Sequence, residues 1–192
     1  MNNKTKTVVG LGLLTAIVIV LQSLAVGIRF GIFNITLVLI PIIVGAAIYG
    51  YKAGAWLGFV FGVVVLLTDA GAFLAVSVPG TIVTCILKGA CWGLVAGIIY
   101  KLLEKKNNIL AVFAAAVAAP VVNTGIFLIG CRLFFYDTIK GWAEAAGFAS
   151  AGAFMIGGLV GTNFIVELII NLVLSMTIVR IIQIGLKITS TK

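Results

Sequence analysis

Histidine is absent from this chain, and only five of its 192 residues are acidic. The commonest metal ligand and the commonest general base at neutral pH are therefore both missing. The few carboxylates are scattered along the sequence, so no metal site and no cofactor is expected. No glycine-rich phosphate loop ends in Lys-Ser or Lys-Thr, which excludes ATP hydrolysis by the chain itself. GxSxG, HExxH and paired-carboxylate motifs are lacking too, and the sequence reads as that of a protein that is not an enzyme. Cysteine is sparse. Cys85, Cys91 and Cys131 lie in apolar runs without a CxxC pair, which reads as three small buried hydrophobes.

Charge of either sign is scarce. Charged residues make up 9% of the chain and hydrophobic residues 62%, against about 25% charged in a soluble domain. Too few polar residues remain to build a water-facing surface, so lipid is the solvent that fits. In lipid every backbone group must be satisfied internally, which leaves helices or a closed barrel. The apolar runs are long and do not alternate every second residue, which rules out the barrel. The net charge of +8 does not indicate nucleic acid, because the basic residues flank apolar runs instead of forming a patch. The first run, from Thr7 to Val26, has no small-residue cleavage site followed by a polar domain, so it reads as a retained helix and not as a signal peptide.

Long hydrophobic runs are what the sequence has in abundance. A helix needs about 20 apolar residues to cross a bilayer. That length predicts an all-α bundle of six transmembrane helices in a single domain over residues 1–192, with spans near 7–27, 34–50, 53–69, 81–101, 109–131 and 154–184. The second span is short and carries Pro41, so a kink or tilt is expected there. The sixth is long enough to tilt or to run past the membrane surface. Alternating spans place Lys4, Lys6, Lys52, Lys101, Lys105, Lys106, Arg180, Lys187 and Lys192 on one side, against Arg29, Arg132 and Lys140 on the other. The positive-inside rule then puts both termini in the cytoplasm. Connections on the inner side are tight, as at Tyr49-Gly50-Tyr51-Lys52. The outer ones, 70–80 and 132–153, are longer. The second of these holds Phe134, Phe135, Tyr136, Trp142 and Phe148, suited to an interfacial belt, to a lid, or to both.

Glycine marks the packing faces. Gly50, Gly54, Gly58 and Gly62 recur every four residues on the third span, Gly89, Gly93 and Gly97 on the fourth, and Gly157 with Gly161 on the sixth. Such stripes let helix backbones approach closely.

Two ionisable residues fall inside spans, Lys88 and Glu167. A charge there costs about 3 kcal/mol on insertion scales, so it is expected to face protein or a polar cavity. At 100° per residue, Thr81, Thr84, Lys88 and Trp92 fall within about 40° of one line, away from the glycine stripe. Asn163, Glu167 and Asn171 share a face of the sixth span, and Asn123 and Thr124 follow Pro120 on the fifth. Lys88 and Asn123 are expected about two turns, roughly 12 Å, below the outer surface. Two readings stand. Lys88 and Glu167 form an ion pair that fixes packing, or the polar faces converge on a ligand cavity open to the outside. Asn123 and Asn163 suit ligand contacts or interhelical hydrogen bonds. Arg132 and Arg29 suit anchors at headgroup level.

These features together resemble a known family. The short basic N-terminus, a small-xxx-small pair on the first helix and a glycine-rich third helix accompany three stretches: FNITLVLIPIIVGAAIYGYKAGAWLGFVFGVV at 33–64, GTIVTCILKGACWGLVAGIIYKLLEKKN at 80–107 and PVVNTGIFLIGCRLFF at 120–135. Over nearly the whole chain they resemble the substrate-binding S-components of energy-coupling factor (ECF) vitamin transporters, most closely the pantothenate type. The resemblance implies a vitamin-like ligand bound at the outer side of a prokaryotic cell membrane. It implies docking on a separate transmembrane coupling protein that carries two ATPase subunits, with the S-component toppling in the membrane during transport. The family's alanine-rich coupling motif falls on Gly12 and Ala16, glycine replacing its first alanine. The family's site, built from the outer halves of the last three helices and outer loops, falls on Lys88, Trp92, Asn123, Asn163, Glu167 and Arg132, with Thr84 on the same line as Lys88. Pantothenate offers a carboxylate for Lys88, hydroxyls and an amide for the asparagines, and a gem-dimethyl group for tryptophan. Riboflavin is the alternative substrate. An ion-coupled secondary transporter using Lys88 and Glu167 as a relay is a rival function, and a structural membrane protein without a small ligand is another.

Overall fold

The computed structural model describes residues 3–27, 29–30, 33–34 and 37–190. Lys192 and the side chains of Arg29 and Lys187, which enter the charge count above, lie outside the described part. The architecture is an all-α membrane bundle. Its long helices are α1 (Asn3–Gly27), α3 (Tyr51–Thr68), α5 (Val78–Leu103), α6 (Asn108–Phe134) and α9 (Thr162–Ser190). Shorter pieces are α2 (Leu39–Tyr49), α4 (Gly71–Leu74), α7 (Tyr136–Ala145) and α8 (Ala151–Ala153), and a π-helical segment (Phe154–Gly161) leads into α9. A two-residue ribbon pairs Arg29–Phe30 antiparallel with Phe33–Asn34 between α1 and α2. Among the described residues, five segments are long and apolar enough to cross a membrane, the last being Ala151–Gly185.

The expected second span differs most from expectation. Helix α2 has only 11 residues, which at 1.5 Å per residue reaches about 16 Å and cannot cross alone. It runs through the middle of the bundle, packed against α1, α3, α5 and α9, and buries Leu39, Ile42, Ile43, Val44 and Ala46. An element surrounded by protein need not match the bilayer in length. Pro41 stands in its first turn, where no intrahelical donor is lost, so the kink expected there has no cause. Pro120 instead lies inside α6, where its ring leaves the Ala116 carbonyl without its usual donor.

Helices α3 and α5 run antiparallel and interlock through their glycines. A Cβ at Gly54 would strike the Gly93 carbonyl, one at Gly58 the Gly89 carbonyl, and one at Gly62 the Cys85 carbonyl. Bulkier residues would hold these backbones apart. Gly50 and the sixth-span pair depart from the expected stripes. Gly50 is the turn between α2 and α3, with φ of 92° and open space where a Cβ would point; that backbone suits glycine alone. Gly157 faces the Phe148 ring, and Gly161 faces the carbonyl of its own neighbour Ile156. Neither marks a close helix–helix crossing.

The ends of α5 and α6 are fixed by capping. Ser77 accepts a hydrogen bond from the Gly80 amide at 3.2 Å, and Asn107 accepts from Ile109 at 2.8 Å and Leu110 at 3.2 Å. Each satisfies amides that the first turn leaves without partners. The stretch expected as a long loop, 132–153, is mostly the end of α6 followed by α7. Its aromatic residues separate: Phe135 is buried with Ile139 and Met155, while Phe134 stays exposed.

Candidate functional site

Helices α5, α6 and α9 leave a cavity of about 170 Å³ between them, lined by Lys88, Asn123, Thr124, Phe127, Leu159, Val160, Asn163, Phe164 and Glu167. Each wall has a local cause. Lys88 stands ten residues into α5, about 15 Å along it, and Asn123 lies eleven residues before the end of α6, at a similar depth. Asn163 and Glu167 occupy successive turns at the start of α9, just past the π-helical segment that supplies Leu159 and Val160. Wide turns of this kind reposition side chains and are frequent at functional sites.

The polar atoms here are waiting for partners. Asn123 Oδ1 and Asn163 Oδ1 are buried with no hydrogen-bond partner among the described residues. A buried amide oxygen left so costs about 1–3 kcal/mol, and a ligand entering the cavity would recover it. Lys88 is the one cation in this lining among the described residues. Its Nζ lies 5.4 Å from the centroid of the Phe127 ring, in cation–π range. No ion pair joins Lys88 to Glu167 among the described residues, although both line the cavity. The packing ion pair considered from the sequence is therefore not made, and Lys88 remains available to an anion.

A second chamber of about 170 Å³ adjoins the first, lined by Val65, Asp69, Ala70, Phe73, Thr81, Thr84, Cys85, Lys88, Phe127 and Phe135. Lys88 and Phe127 belong to both linings. Thr84 is buried, and its Oγ1 has no hydrogen-bond partner among the described residues. At the far end Asp69 accepts from Gln22 Nε2 at 3.2 Å, tying α3 to α1. Phe73, on α4, packs edge-on against Phe127 at 5.6 Å, Phe135 at 5.0 Å and Trp142 at 5.6 Å. Phe73, Phe127 and Phe135 line the second chamber, and Trp142 backs Phe73 from α7.

The structure thus gathers Lys88, Asn123, Asn163 and Glu167 into one chamber, with Thr84 in the next. It does not bring Trp92 or Arg132 to either. Trp92 is 1% exposed and packs on Phe61 with ring centroids 4.7 Å apart. It shares the helical line of Lys88, but one turn further on α3 covers that line. Arg132, exposed at the end of α6, lies 3.9 Å from the centre of the Tyr136 ring and lines a separate surface hollow. Phe127 was missed because one phenylalanine among many apolar residues carries no signal of its own. Its spacing from Asn123, four residues on the same helix, is the clue that places it on the cavity face. Gly12 and Ala16 are exposed on α1, and nothing lies within 4 Å of a Cβ at Gly12.

Comparison with known proteins agrees with this architecture. Residues 6–179 match the family described as "ECF transporter, substrate-specific component". The chain is also 31% identical, over 75% of each sequence, to the "Pantothenic acid transporter PanT" of Lactococcus lactis subsp. cremoris (strain MG1363). With nearly all of its transmembrane region inside that match, the chain belongs to the family of substrate-specific components of ECF transporters.

Proposed function

We propose that the chain captures pantothenate at the outer face of a prokaryotic cell membrane and passes it inward by docking on a separate coupling protein driven by two ATPase subunits. The observation that carries this reading is the convergence of Lys88 with the orphaned oxygens of Asn123 and Asn163 on one cavity. The lysine pairs with the carboxylate, and the asparagines bond the hydroxyls and the amide. Leu159, Val160 and Phe164 cover the gem-dimethyl group, a part that Trp92 is too far inside the core to play. Similarity to a protein named as a pantothenic acid transporter supports the substrate. The excess of basic residues on one side supports cytoplasmic termini, and the bare Gly12 and Ala16 on α1 support a docking face there.

Isothermal titration of the purified chain with pantothenate, with riboflavin as the competitor, tests the assignment. Saturable one-to-one binding of pantothenate that riboflavin does not displace is expected. Riboflavin binding alone would replace the substrate. Uptake by the isolated chain in proteoliposomes under an ion gradient would replace the mechanism.

A further inference from the structure

The two chambers pose a problem of size. Each has a volume of about 170 Å³, below the ~300 Å³ at which small-molecule sites begin, while together they reach that range. Their shared wall consists of two side chains, Lys88 and Phe127. Both are movable parts. A lysine stem is long and flexible, and a phenylalanine ring swings about χ1 between staggered wells. Each chamber is also lined by residues whose buried oxygens have no hydrogen-bond partner among the described residues: Asn123 and Asn163 for the first, Thr84 for the second. The position of Thr84 is enforced, since its side chain fills the space a Cβ at Gly130 would take.

We propose that the chambers are two halves of one ligand site, with Phe127 as the movable partition and Thr84 as a second anion contact beside Lys88. The inference rests on the pantothenate reading and adds to it the way the molecule lies. The branched hydroxyl-bearing half occupies the first chamber, where Asn123, Asn163 and Glu167 offer acceptors. The unbranched acid arm is the only part slender enough to pass the Phe127 ring. It places its carboxylate on Lys88, where the Thr84 hydroxyl donates to it. Phe127 is a specificity-determining residue in this arrangement, admitting a narrow arm and refusing a branched or flat one. The partition ring is held by the Lys88 ammonium, 5.4 Å from its centre, and by the Phe73 ring packed edge-on at 5.6 Å, and a carboxylate that draws the ammonium away frees the ring to turn.

The test uses the full chain, purified and checked for folding by thermal unfolding, with two probes. One is pantothenate. The other is pantoamide, the branched half with its amide and without the acid arm. Thr84→Val keeps the shape and removes the hydroxyl, and Phe127→Trp fills the passage. Thr84→Val is expected to weaken pantothenate binding about tenfold and to leave the weaker pantoamide binding unchanged. Phe127→Trp is expected to weaken pantothenate more than tenfold with the same selectivity. Pantothenate binding to the wild type with no effect of Thr84→Val, or equal losses for both probes, would overturn the two-chamber arrangement and leave the substrate standing. Failure of the wild type to bind pantothenate would overturn the substrate reading and this inference with it.

Discussion

Lys88, Asn123, Asn163 and Glu167 stand out at the residue scale because each is expensive where it sits. A charge or an amide in the middle of an apolar helix has to be compensated, which is why the sequence alone marks the residues that the fold brings to one cavity. Replacing either asparagine by leucine is expected to weaken pantothenate binding about tenfold, read by titration calorimetry, because a buried hydrogen bond to the ligand is lost. Trp92 shows where residue-level reading stops. Helical angle placed it on the Lys88 line, but angle does not say which neighbouring helix covers each turn, and α3 covers that one with Phe61. Trp92→Ala is accordingly expected to lower thermal stability by about 3 kcal/mol, the typical cost of emptying a core aromatic position, while the dissociation constant for pantothenate stays within twofold. Arg132 lies outside the cavity for a related reason, since sequence spacing does not say that it stacks on Tyr136 at the start of α7 and lines a separate hollow.

Among elements, the α3–α5 pair was the most legible. Small residues every fourth position have one physical use in lipid, a close crossing, and the alternation of Gly54, Gly58 and Gly62 against Gly93, Gly89 and Cys85 is that crossing seen from both sides. Gly58→Ala and Gly89→Ala would each drive a methyl group into a facing carbonyl, at a cost of about 1–3 kcal/mol. Gly12→Ala, with open space around it, is expected to be neutral. Thermal unfolding of the three variants in one detergent checks the contrast. Two elements were not legible. The length of α2 was overestimated because hydropathy records apolar residues and not whether lipid or protein surrounds them. The π-helical segment was invisible because eight apolar residues look the same at either winding, and it leads directly into the first turns of α9, which carry Asn163 and Glu167.

At the scale of the whole molecule, composition alone identified a helical membrane protein, since no other solvent suits so few charges. The proposed docking places the coupling protein against α1, where Gly12 and Ala16 are exposed. Gly12→Leu combined with Ala16→Leu is expected to leave pantothenate affinity unchanged and to abolish uptake in cells that supply the coupling proteins, measured with radiolabelled pantothenate. Loss of binding in this double variant would move the site to α1, and unimpaired uptake would move the docking face elsewhere.

In the proposed site Lys88, the one cation of the cavity lining among the described residues, holds the anionic end of a small solute. Calorimetric titration of pantothenate into the purified wild-type chain and into Lys88→Met, side by side, tests it most directly. One-to-one binding by the wild type, weakened at least thirtyfold by the substitution, as for a charge-assisted bond worth about 2 kcal/mol or more, is the predicted result. Equal affinity in the two proteins would contradict it.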